Sequence, residues 1–112
     1  MTLRSYNLKK LQPTDLSEDS LPFLMSLSNR EIEKLNQREP PQVWKTIEGR
    51  FISDGNTRLA VLALRGQKRA IVDYKDETTP MYHIIYESEE YKNGQLLRQK
   101  GIKSPYDFWK SP

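Results

Sequence analysis

The sequence contains no cysteine. That single absence removes disulfides, thiolate nucleophiles and cysteine-ligated zinc or iron–sulfur centres. It permits a reducing compartment without requiring one. Histidine is almost absent: His83 stands alone in Tyr82-His83-Ile84-Ile85-Tyr86. A histidine metal site or a serine–histidine pair needs companions that cannot be identified here, so His83 is read as structural. No apolar run approaches the roughly 18 residues of a membrane helix, and no membrane contact is expected. Met1-Thr2-Leu3-Arg4-Ser5-Tyr6 has a basic residue but no apolar stretch behind it, so the layout of a secretory signal is missing and a cytoplasmic location is the expectation. An excess of one charge is missing as well. With 18 Lys+Arg against 15 Asp+Glu, the bias is too mild to mark a nucleic-acid binder without local clustering.

What is present fits one domain. The 112 residues allow one modest core, and no repeat, low-complexity tract or linker divides them. Leu3 to Leu11 reads as an opening strand ended by Pro13, and Leu21 to Leu27 as a short helical turn with Pro22 at its start. Ser28-Asn29-Arg30-Glu31 has the spacing of a capping box, followed by Ile32 and Leu35 as a buried stripe until Pro40 stops the helix. Gln42 to Ile47 and Arg50 to Ser53 read as a hairpin with its turn at Glu48-Gly49. Thr57 to Arg65 is apolar almost throughout, as expected of a helix buried on most sides, with Gly66 as its stop. Arg69 to Tyr74 and Tyr82 to Tyr86 read as further strands, separated by a loop at Asp76-Glu77-Thr78-Thr79-Pro80. Ser88 to Lys100 reads as helix despite Gly94, and Ser104-Pro105-Tyr106-Asp107 as another helix start. The expectation is a small α+β domain over residues 1–112, with 88–112 a helical C-terminal extension.

The segment with chemical promise is Phe51-Ile52-Ser53-Asp54-Gly55-Asn56-Thr57-Arg58, which runs from strand through a glycine turn into the buried helix. The first N–H groups of a helix lack partners and carry the positive end of its dipole, so an anion suits that position. Arg58 adds a planar guanidinium able to grip phosphate oxygens, and Asn56 and Thr57 add hydrogen-bonding groups. The alternative from the residues alone is an ordinary turn in which Asn56 or Thr57 caps a core helix.

Strand, Asp54-Gly55-Asn56-Thr57-Arg58-Leu59-Ala60, buried helix, Gly66 and Ala70-Ile71-Val72 together resemble the ParB/sulfiredoxin-like superfamily. Asn7 to Pro13, Ser28 to Gln37, Pro41-Gln42-Val43 and Gly49 match its remaining layout, and the resemblance covers residues 3 to 75. It implies a small mixed β-sheet packed with helices. It also implies a nucleotide held at the Gly55-x-x-Arg58 turn as a nucleoside triphosphate with Mg2+, with NTPase or phosphotransfer activity left open. Only Gly55 and Arg58 match the shared core. The cysteine that sulfiredoxins need in this turn is absent, which excludes that chemistry. About 37 residues follow Lys75, so sequence-specific DNA reading through the helix-turn-helix segment of partitioning proteins is not expected.

Other residues have two readings each. Arg65, Lys68 and Arg69 flank Gly66, and Arg58 and Arg65 lie two helical turns apart, about 10 Å. That spacing suits an extended anion such as a nucleic-acid backbone, whereas basic residues at a helix end are also favoured by the dipole alone. Asp54, Asp73, Asp76 and Glu77 are oxygen donors suited to Mg2+, Asp54 being the best placed, but no metal site is assigned to them. Between Tyr91 and Pro112, Lys92, Arg98, Lys100, Lys103 and Lys110 face only Asp107, as a solvated face or as a surface for an anionic partner. Tyr106, Phe108 and Trp109 pin the tail to the core or form a binding surface. The functional alternatives to nucleotide binding are a protein-interaction module and a DNA-binding or nuclease domain.

Overall fold

A computed structural model describes residues 2–76 and 86–110. Strand β1 (Leu3–Asn7) ends in a 3-10 turn at Leu8–Lys10 and continues as a two-residue β2 (Leu11–Gln12). Helices α1 (Leu21–Ser26) and α2 (Asn29–Arg38) lead to β3 (Gln42–Thr46) and β4 (Gly49–Asp54). Helix α3 (Asn56–Leu64), β5 (Arg69–Asp76), α4 (Glu89–Gln99) and a 3-10 turn at Pro105–Trp109 complete the described chain. The fold is α+β, with a mixed five-stranded sheet ordered β1-β5-β3-β4-β2. β1 pairs antiparallel with β5 and β3 antiparallel with β4, while β3–β5 and β2–β4 are parallel.

Period-two alternation places Val43, Ile52, Val72 and Tyr74 in one apolar cluster with Leu59, Val61 and Leu62 of α3. Leu59 and Val61 are completely buried, and each such side chain contributes about 1.5–3 kcal/mol through burial. The C-terminal 3-10 turn, α1 and α2 all pack on α3, so the apolar helix is central. Two bonds tie the tail to it: Trp109 Nε1 donates to Ala60 O at 2.8 Å, and the Tyr106 hydroxyl donates to Gln67 O. Packing is therefore what these two aromatic residues do.

The expected strand from Leu3 to Leu11 is broken. Asn7 Oδ1 accepts from Lys9 N–H at 2.9 Å and bends the chain. Leu8 and Leu11, three apart, are both fully buried, a spacing that suits a 3-10 turn and not a strand. The hairpin turn is Ile47-Glu48 instead of Glu48-Gly49, because Thr46 pairs with Gly49 and its Oγ1 donates to Gly49 O at 2.9 Å. The expected strand at Tyr82 to Tyr86 lies outside the described residues except for Tyr86, which is helical. His83 and the loop residues Glu77 to Pro80 lie outside them too. The capping box at α2 forms as read: Ser28 Oγ accepts from Glu31 N–H at 3.1 Å, and Glu31 Oε1 accepts from Ser28 N–H at 3.0 Å.

Phe51 and Ile52 are adjacent on β4 and point to opposite faces. Ile52 enters the core cluster, whereas Phe51 meets α4 at Gly94. A Cβ at Gly94 would lie 2.9 Å from Phe51 Cδ1 and 3.1 Å from Thr14 Cγ2. The glycine that looked adverse to the helix is thus what lets α4 approach the sheet.

Gly94→Ala should lower the urea midpoint, because overpacking costs about 1–3 kcal/mol, whereas helix propensity alone predicts a gain of about 1 kcal/mol. A pH dependence follows from Glu31, whose carboxyl is held below its ordinary value of 4.5 by the backbone hydrogen bond from Ser28. A depressed folded-state pKa gives stability that is present above pH 4.5 and lost as pH falls through the folded value. In urea titrations, Glu31→Gln should therefore differ from the natural protein at neutral pH and converge with it in acid.

Candidate phosphate-binding site

β4 delivers the chain to Asp54, and Gly55 turns it with φ of 85°, a left-handed conformation that favours glycine. Space demands glycine as well, since a Cβ here would lie 2.7 Å from Pro41 Cβ. α3 begins at Asn56, and no side chain caps it. Asp54 Oδ1 instead accepts from Gly55 N–H at 3.0 Å. The start of α3 opens into a cavity of about 420 Å³, lined by Asp54 to Arg58, by Thr14, Asp15, Ser17 and Ser20 before α1, and by Glu89, Glu90 and Asn93 of α4. All five residues read from the sequence as the turn are brought together there.

Their roles differ from the reading. Asn56 is buried, and its Oδ1 accepts from Thr14 N–H at 2.9 Å while Nδ2 donates to Thr14 Oγ1 at 2.9 Å. Thr14 Oγ1 in turn donates to Ile52 O at 2.5 Å. Thr57 Oγ1 accepts from Ser17 N–H at 2.9 Å. These two side chains therefore hold the 14–17 loop against the helix start.

Arg58 borders the cavity but is half-buried and reaches toward the end of α2. Its Nη1 donates to Asn36 Oδ1 at 2.9 Å and to the Glu39 carbonyl at 2.5 Å. Burial lowers its pKa, opposed by the charges of Asp54 and Glu39. Arg65 makes the corresponding clamp at the other end, with Nη1 on Asn29 Oδ1 at 3.0 Å and Nη2 on Met25 O at 2.9 Å. The spacing of Arg58 and Arg65 thus serves to tie α3 to α1 and α2. Arg65, read as part of an anion surface, is engaged with α1 and α2, whereas Lys68 and Arg69 are exposed.

The acidic residues also sort differently. Asp54 lines the cavity. Asp73 does not: it is buried, and its Oδ1 accepts from Thr2 N–H at 3.0 Å. Glu77 and the side chain of Asp76 lie outside the described residues. Asp15, Glu89 and Glu90 are the carboxylates the sequence reading missed. Ser88-Glu89-Glu90 marks a helix start, with Ser88 Oγ accepting from Tyr91 N–H at 3.2 Å, but nothing local says that it faces the start of α3. Among the described residues no cluster of three or more His, Cys, Asp or Glu is arranged to hold a metal alone.

A second cavity of about 290 Å³ adjoins the first and shares Ser53, Asp54 and Glu90 with it. Its walls include Trp44, Phe51 and Tyr91. Trp44 Nε1 donates to Ser53 Oγ at 2.8 Å, and the Phe51 and Tyr91 rings lie 5.1 Å apart. The Tyr91 phenol, which donates to Glu48, is pushed up to about 12 by burial first and by that carboxylate second. It stays protonated at neutral pH. No family model, curated protein or solved structure matches this chain.

Asn56→Ala should destabilise the fold, because each buried group left unpaired costs about 1–3 kcal/mol. Thermal unfolding should rank it below Thr57→Ala, which frees only the Ser17 N–H. An unchanged melting temperature for Asn56→Ala would contradict the structural role given to this side chain.

Proposed function

We propose that this domain binds a nucleotide with Mg2+, its phosphates at the N-terminus of α3 and its base in the adjoining aromatic cavity. The observation that carries the reading is the junction of the two spaces through Ser53, Asp54 and Glu90. One is polar and lies at an uncapped helix start; the other is walled by aromatic rings. A ligand with an anionic end and a flat aromatic end matches that pairing in chemistry. The resemblance of Gly55-x-x-Arg58 to the ParB/sulfiredoxin-like turn points the same way.

The carboxylates Asp15, Asp54, Glu89 and Glu90 would repel bare phosphate. Mg2+ usually sits between one or two carboxylates and substrate phosphates, keeping several waters, so this donor set fits an ion shared with the ligand. Asp15 and Asp54 would hold it, and bound there it would neutralise phosphate charge. Arg58 stands at the border of the cavity with one guanidinium nitrogen committed to α2, and it positions the turn whether or not it touches phosphate. Hydrolysis and phosphotransfer both remain within this reading.

Melting temperature should rise with one of CTP, ATP, GTP or ADP only when Mg2+ is present. Ligand at about 100 times its dissociation constant stabilises by about 2.7 kcal/mol, which is several degrees in a domain of this size. Asp54→Asn should remove the shift while leaving the unliganded stability within about 1 kcal/mol of the natural protein. No shift with any nucleotide would reject the proposal.

A further inference from the structure

The edge of the sheet at β1 and β5 is separate from these cavities, and its charge is one-sided. No Asp or Glu occurs from Thr2 to Thr14 or from Gly55 to Val72. Pairing brings these two segments side by side, with Tyr6 opposite Ala70 and Asn7 opposite Arg69. The ladder is extended past the strand by Leu8 N–H, which donates to Lys68 O at 3.0 Å. Arg4, Lys9, Lys10, Lys68 and Arg69 therefore gather along one edge, all exposed. In a chain with 18 basic and 15 acidic residues, such segregation is a feature of the topology and not of the composition.

The edge also has shape. A notch of about 240 Å³ is lined by Arg4, Ser5, Tyr6, Asn7, Lys10 and Arg69, and every charge in that lining is positive. Neutral groups hold the two arginines. Arg69 Nε donates to Ser5 Oγ at 3.1 Å and Nη2 to Ser5 O at 2.9 Å, while the Arg4 guanidinium lies 4.4 Å from the centre of the Tyr74 ring. Tyr74 stacks on Tyr6 with centroids 5.5 Å apart. Cations fixed by neutral groups lose less conformational freedom on meeting an anion than free side chains do.

We infer that this edge binds the phosphodiester backbone of a nucleic acid, with Arg4, Lys10 and Arg69 in the notch and Lys9 and Lys68 extending the row. β1 alone is about 17 Å long, and a nucleic-acid strand places a charge about every 3.4 Å along its axis, so several phosphates fall within reach of the row. The hydroxyls of Ser5 and Tyr6 and the amide of Asn7 suit phosphate oxygens and sugars, and backbone contacts of this kind carry no sequence information.

The test is fluorescence anisotropy with labelled single-stranded DNA, duplex DNA and RNA of mixed sequence over a salt series. Binding at low salt is expected, with log K falling against log salt at a slope of about −3 to −4 for duplex DNA, as neutralising three or four phosphates requires. Arg4→Glu/Lys10→Glu/Lys68→Glu should weaken binding about tenfold or more. Lys34→Glu/Lys92→Glu/Lys100→Glu, with the same change in net charge on α2, on α4 and just after α4, should bind nearly as the natural protein does. Absence of binding to every nucleic acid at low salt, a slope near zero, or equal loss in both variants overturns the inference. So does tighter binding of polyglutamate or of phosphatidylserine vesicles, which would assign the edge to an acidic protein or a lipid surface. The salt slope of the natural protein decides the matter even if the first variant fails to fold.

Discussion

The buried amide of Asn56 joins three separate parts of the chain at one point. It holds Thr14 through both backbone and hydroxyl, and Thr14 in turn holds the carbonyl of Ile52 at the end of β4. Pro41 packs against the turn at Gly55 so closely that only glycine fits. The loop before α1, the exit of β4 and the start of α3 are thereby fixed relative to one another. The cavity is the space that remains between them once α4 closes the fourth side. Low dielectric around such a network strengthens its bonds and makes every unpaired member costly, so the turn tolerates little change for reasons of stability alone.

Charge is distributed around this frame in opposite senses. Carboxylates gather where the first turns of α3 and α4 face the same cavity, and cations gather on the β1–β5 edge, where neither strand nor its neighbouring turn contributes an acid before Asp73. The arginines at the two ends of α3, Arg58 and Arg65, belong to neither region. They lie along the helix at a spacing that matches the length of α2 and fasten its two ends, Arg58 at Asn36 and Glu39 and Arg65 at Asn29 with Met25 of α1. A guanidinium beside the last carbonyls of a helix also sits favourably with its dipole.

Local chemistry made much of this legible. The Ser28–Glu31 box, the apolar run of α3 and the strand of Ala70, Ile71 and Val72 each carry their own signal within a few residues. So does the glycine turn, whose position at the head of a buried helix follows from Ser53 to Leu59 read in order. What was not legible depends on pairing across the chain. The parallel registers of β2 with β4 and β3 with β5 leave no periodic mark. Leu8 looked like a strand residue because a 3-10 spacing and an alternating one are hard to tell apart over four positions. Asn56 and Arg58 have the chemistry of ligand-binding groups, and only the positions of Thr14 and Asn36 reveal that both are engaged in the protein. Asp15, Glu89 and Glu90 lie tens of residues from the turn, so no local pattern could assign them to it.

The proposed site would hold phosphate at the backbone N–H groups that begin α3. Its most direct test is a titration of the 15N-labelled protein with Mg2+-nucleotide, following amide 1H–15N shifts. The amides of Asn56, Thr57 and Arg58 should move together and saturate, with the Trp44 indole shifting in step as the base enters the second cavity. A titration that leaves these three amides in place, or that moves only residues of the β1–β5 edge, would contradict it.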